Sequence, residues 1–223
     1  MPNKALTRAN LKTPKAAAIA GMVFSIVLVV VFWLLRTSIP ADPREAGSWL
    51  PHSGNVALAM NLMPFAGIAF LWFLGAVRDR LGQQEDQFFA TVFFGSGLLF
   101  LAMLFTAAAI IGAILIAFAM EPQELMGSAT FHFARAAAYN LVNVYMIKMA
   151  SVFMITTSTV AIYTGIAPRW LAILGWALAI CLLFGSFYLS WSFLVFPLWV
   201  FLISVCLLWD RSPTPNKARE PRA

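Results

Sequence analysis

Six stretches of this chain run for seventeen or more residues with scarcely a charge, near 16–35, 56–77, 88–120, 131–164, 170–187 and 193–209. An α-helix rises about 1.5 Å per residue, so about 20 apolar residues cover the hydrocarbon of a bilayer. No water is available there, and only helices and closed barrels satisfy their own backbone groups. The runs are continuous rather than alternating, which excludes a lipid-spanning barrel. The composition agrees. Hydrophobic residues make up 61% and charged residues 11%, against about half and about a quarter in soluble domains. The expected fold is all-α: a polytopic membrane bundle of six transmembrane helices over 16–209, with a basic tail at 1–15 and a second tail at 210–223.

The first run opens at Thr13-Pro14, a cap followed by proline at the first helical position. It is longer than the apolar core of a secretory signal, usually about 7–15 residues, and no small-residue cleavage motif follows. It is expected to stay as a span.

Orientation follows from the bases. Lys4, Arg8, Lys12, Lys15, Arg78, Arg80, Arg169, Arg211, Lys217, Arg219 and Arg222 fall on one side of a six-span arrangement. Only Arg36 and Arg44 lie in linkers of the other side. The positive-inside rule then makes both termini cytoplasmic. Trp33 and Trp191 fall near one set of span ends, and Trp72, Trp170 and Trp209 near the other, as interfacial belts require. The net charge of +6 reads as topology signal and contact with anionic lipid headgroups, not as a nucleic-acid surface. The expected partners are the bilayer itself and another membrane protein or a second copy of the chain.

Runs three and four hold about 50 Å of helix each at the usual rise, well beyond the hydrocarbon thickness. They predict a long antiparallel hairpin that either tilts or projects past the outer face. Ala109, Ala113 and Ala117 recur every fourth residue beside Gly112. That spacing suits a close helix seam, within the bundle or between protomers; ordinary alanine-rich filler is the alternative.

The fourth run carries the most polar chemistry. His132, Arg135, Tyr139 and Asn143 share one helical stripe, and Lys148 lies on nearly the opposite face. Charges inside a span are costly and usually face the bundle interior or water. Two readings follow. The stripe, with Lys148 and with Asn61 of the second run, forms an outward-facing basic pocket for an anionic or carboxylate ligand. Alternatively, the stripe sits at the headgroups and Lys148 snorkels. Glu121 and Glu124 are the expected ion-pair partners of Arg135. The first linker, 36–55, is either an amphiphilic loop on the membrane surface or a lid over the bundle.

Several chemistries are unsupported. All nine acids lie in linkers or tails, so an intramembrane carboxylate relay is not expected. Two histidines and two separated cysteines, Cys181 and Cys206, offer no metal cluster, redox motif or haem pair. No cofactor is expected. Gly95-Ser96-Gly97 resembles the glycine-flanked serine of intramembrane serine proteases over those three residues. His132 belongs to the far end of the hairpin, so a packing notch is the expected role and hydrolysis at Ser96 the distant alternative.

The stretch Ile166-Ala167-Pro168-Arg169-Trp170-Leu171-Ala172-Ile173-Leu174-Gly175 and the opening Ala16-Ala17-Ala18-Ile19-Ala20-Gly21 resemble an uncharacterised group of bacterial six-span membrane proteins, a domain of unknown function. The resemblance covers about sixteen residues. It implies a multi-pass protein of the bacterial cytoplasmic membrane and transfers no activity. The resulting expectation is a non-enzymatic accessory, sensing or assembly component acting through helix contacts. The alternative is a small transporter or channel using the outer pocket.

Overall fold

The computed structural model describes residues 13–40, 42, 45–81, 87–164, 167–185 and 191–209. The terminal tails lie outside them. The described residues form helices and connections only: α1 (Thr13–Ser38), α2 (Gly54–Leu81), α3 (Gln87–Met120), a short α4 (Pro122–Leu125), α5 (Ala129–Asn140), a π-helical stretch (Leu141–Met146), α6 (Ile147–Thr164), α7 (Arg169–Gly185) and α8 (Ser192–Trp209). Five segments are long and apolar enough to cross a membrane: Ala16–Ser38, Gly54–Arg78, Phe89–Met120, Ala129–Tyr163 and Ser192–Trp209. The remaining apolar helix, α7, has 17 described residues.

Sequence period dictates which faces pack. On α1, Phe24, Leu28 and Val31 are buried, while Ile19, Val23, Ile26, Val30 and Trp33 point outward in steps of three and four. Such an apolar outer face suits lipid. Between helices, close van der Waals fit then replaces the hydrophobic drive. Glycines create that fit. A Cβ at Gly21 of α1 would collide with Ser204 of α8 and Phe73 of α2, and one at Gly67 of α2 with the Phe105 ring of α3. A Cβ at Gly175 of α7 would strike Ser158 of α6 and Trp199 of α8.

α1 lies between α2 and α8, α3 packs on α2 and on the α5–α6 arm, and α6 packs on α7. Where α1, α2, α3, α6 and α8 meet, phenylalanines fill the centre. The Phe70 ring stands 4.6 Å from Phe24, 5.3 Å from Phe100, 5.4 Å from Phe153 and 5.9 Å from Phe196. These centroid separations are those of attractive tilted and edge-on pairs. Pro64 and Pro197 sit inside α2 and α8 without ending either helix.

The long hairpin is present. α3 spans 34 residues, and its partner arm runs without a break from Ala129 to Thr164. The turn uses Gly127 at φ +70°, a left-handed conformation that disfavours other residues. Ser128 then caps α5 by accepting from the Phe131 N–H at 3.1 Å.

The hairpin tip does not project bare. The Gly127 N–H donates to the Ala46 carbonyl at 3.1 Å, which ties the tip to the first linker. Gly47, at φ +104°, turns that linker inward. Trp49 and Leu50 then bury with Val56, Ile114 and Phe131 in a small second core. Of the two expectations for this linker, a lid over the bundle describes the observed packing.

Candidate functional site

Beneath the lid lies a cavity of about 440 Å³, within the usual range of small-molecule sites. α1 supplies Phe32, Leu35 and Arg36, the linker Ile39, Pro40 and Trp49, and α3 an apolar wall from Leu104 to Ile114. α5 and the π-helical stretch supply the polar side, with His132, Arg135, Tyr139, Asn140 and Asn143. The four stripe residues read from the sequence therefore do converge on one cavity.

Their roles differ from the expectation. Arg135 was expected to meet a ligand, with Glu121 or Glu124 as its ion pair. Instead, its guanidinium grips the lid. One terminal nitrogen donates to the Glu45 carbonyl at 2.7 Å and to Glu45 Oε2 at 3.2 Å. The other donates to the carbonyls of Pro40 at 2.8 Å and Asp42 at 2.7 Å. A planar fork of fixed donors suits several acceptors at once. Glu121 and Glu124 are exposed on the hairpin turn.

Glu45 is held ionised for this role. Burial opposes its charge. The side chain and N–H of Ser48, the N–H of Gly47 and the Arg135 charge outweigh that, and the carboxyl titrates below its ordinary value. Asn143 likewise turns inward on its own backbone, donating from Nδ2 to the Tyr139 carbonyl at 3.0 Å. That carbonyl lies just before the π-helical stretch, where the usual i to i+4 ladder is interrupted.

Two sequence candidates are elsewhere. Lys148 points to the opposite side of its helix and donates to the Leu183 carbonyl of α7 at 3.1 Å; it does not line the cavity. Asn61 is exposed on α2 and donates to the Ala57 carbonyl at 3.0 Å. Neither joins the pocket, because Lys148 faces α7 and Asn61 lies on an exposed face of α2. Ala109 and Ala113 are exposed and Ala117 half-buried. A Cβ at Gly112 would meet nothing within 4 Å. The alanine row is thus not an internal seam. Ser96 is buried and donates to the Phe93 carbonyl at 3.1 Å. Among the described residues no contact joins it to His132, so no catalytic pair forms.

The sequence reading missed two members of the site. Arg36 at the end of α1 lines the cavity, its guanidinium carbon 6.0 Å from the centre of the Trp191 ring. Trp49 forms part of the wall, and its buried indole N–H has no acceptor. Both approach from segments distant in sequence, so no single-helix pattern could have found them.

An aromatic floor lies at one end of the cavity. Phe32 and Phe193, with ring centres 5.1 Å apart, belong to its floor. They also bound a void of about 10 Å³ shared with Phe100 and Phe196 of the phenylalanine centre. Among the described residues, no three His, Cys, Asp or Glu side chains gather as a metal site.

Comparison with protein-family models, with curated proteins and with solved structures finds no match for this chain.

Proposed function

We propose that this chain is a six-span protein of a bacterial cytoplasmic membrane that takes up a ligand in the cavity beneath the lid, as a non-enzymatic accessory or sensing component. α7 serves as the sixth span; its 17 described residues reach about 26 Å, close to the hydrocarbon thickness. Six crossings put both termini in the cytoplasm, where eleven of the fifteen bases then lie. The resemblance to a six-span bacterial group supports the same count. The lid and the hairpin tip, joined by Gly127 and Ala46, then face outward.

One observation carries the reading: an accessible, partly polar cavity ends on a packed aromatic floor. A ligand can enter and reside there without a polar route onward. The transporter alternative needs that route, and Asn61 and Lys148, which would have extended it, bind backbone carbonyls instead.

Sealed vesicles carrying the purified chain and loaded with a small anionic dye test this reading. Retention equal to that of empty vesicles is the expected result. Protein-dependent leakage would overturn it in favour of a channel.

A further inference from the structure

The wall of the cavity is divided by chemistry, and the division specifies a ligand. One side is hydrocarbon, from Leu35 of α1 and Leu104, Ala108 and Ile111 of α3. The polar groups gather on α5, the π-helical stretch and the outer end of α1. No acidic side chain lines the cavity, whereas two arginines do. Arg135 is neutralised by Glu45 at 3.2 Å, and both of its terminal nitrogens hold lid carbonyls. Arg36 lies outside that pair, its guanidinium carbon 6.0 Å from the Trp191 ring centre. Among the described lining residues, one guanidinium thus stands outside the Glu45 pair, at an exposed position above an apolar interior.

Access points the same way. α1 and α5 face each other across the cavity without packing on one another as α1 does on α2 and α8. α1, and the segment that α5 opens, are each long and apolar enough to cross a membrane. A gap between two such segments would face lipid in a membrane, and a molecule already dissolved there could then enter sideways.

We infer that the cavity binds an anionic amphiphile, its acidic head paired with Arg36 at the rim and its alkyl chain lying along α3 toward Phe32 and Phe193. This rests on the ligand-binding reading above and gives it a chemical class. A guanidinium pairs well with a carboxylate or a phosphate, so the same chemistry is offered by a free fatty acid and by an anionic membrane lipid.

The test uses the full chain in phosphatidylcholine nanodiscs. Bromine atoms midway along an alkyl chain quench a nearby indole, and Trp49 in the cavity wall is the reporter. Its share of the emission is isolated by difference against Trp49→Phe. Brominated stearate, the matching brominated alcohol and brominated phosphatidylglycerol are added separately. The expected result is saturable quenching by at least one anionic probe, with the alcohol far weaker. Saturation by free stearate identifies a fatty acid as the source, and saturation by phosphatidylglycerol alone identifies a membrane lipid. Arg36→Gln, at an exposed position, should weaken binding by roughly tenfold or more, as loss of a charge-assisted contact does. Ala108→Phe should fill the chain site and abolish saturation.

Equal affinity for acid and alcohol, or unchanged affinity in Arg36→Gln, would overturn the anionic class while leaving a ligand-binding cavity in place. Quenching that never saturates with any probe would remove the cavity reading as well.

Discussion

Arg135 and Glu45 stand ninety positions apart in sequence, yet the guanidinium donates to the Glu45 backbone carbonyl at 2.7 Å and to its carboxylate at 3.2 Å. The pair fastens the first linker over the mouth of the cavity. Both side chains are mostly buried, at 13% and 17% exposure, so water screens the contact only in part. Removing Arg135 strands three carbonyls and a carboxylate together. Arg135→Ala should therefore destabilise the closed lid by about 2–3 kcal/mol. Limited proteolysis at 42–53 should become much faster, and Arg135→Lys should restore little because an ammonium lacks the fork geometry. Wild-type resistance in Arg135→Ala would show that the lid is held by other contacts.

The same pair makes the lid sensitive to acid. The folded-state pKa of Glu45 lies below its ordinary 4.5. Its stabilising contribution is thus complete above that ordinary value and is lost as pH falls through the lower, folded one. Lid opening, followed by proteolysis with an acid-active protease, should be constant from neutral pH to about 5 and rise below 4.5. Glu45→Gln should weaken the lid at neutral pH and flatten the profile.

Much of this was legible in the sequence, and the reasons differ by residue. Continuous apolar runs announce helices, so the long hairpin could be read directly, whereas the outward face of the apolar run in α1 could not. The shared face of His132, Arg135, Tyr139 and Asn143 followed from helical spacing, and all four line the cavity. Their partners could not be read that way. Arg135 meets a loop separated from it by α2, α3 and α4, and Arg36 enters from α1. The π-helical stretch at Leu141–Met146 leaves no mark in an unbroken apolar pattern. Lys148 and Asn61 looked functional by residue type alone, and local carbonyls absorb both.

Glycine positions separate packing from exposure. At Gly175 a Cβ would collide with Ser158 and Trp199, while at Gly112 it would meet open space. Gly175→Ala should destabilise the bundle by about 1–3 kcal/mol through overpacking. Gly112→Ala should be neutral or stabilising by about 0.5–1 kcal/mol, since alanine loses less backbone freedom on helix formation. Unfolding midpoints in one detergent compare the two directly. A matching loss in both would place a neighbour against Gly112.

Phe70 is the hub of the aromatic centre, within 6 Å of rings from α1, α3, α6 and α8. Phe70→Ala should leave a cavity among them and cost about 3–5 kcal/mol. Reconstituted vesicles of this variant should also become leakier than wild type, because the same side chains close the bundle. A stable, tight variant would mean that the seal lies elsewhere.

Accessibility of single cysteines to a membrane-impermeant thiol reagent tests the account at its centre. Cys181 and Cys206 are replaced by serine, and cysteine is placed in turn at His132 in the cavity, Trp209 at the end of α8 and Phe100 in the aromatic core. His132→Cys should react only from the outer face, Trp209→Cys only from the cytoplasmic face, and Phe100→Cys from neither. Reaction of the cavity cysteine from both faces, or of the His132 and Trp209 positions from the same face, would contradict a blind outward cavity in a bundle whose C-terminal end lies in the cytoplasm.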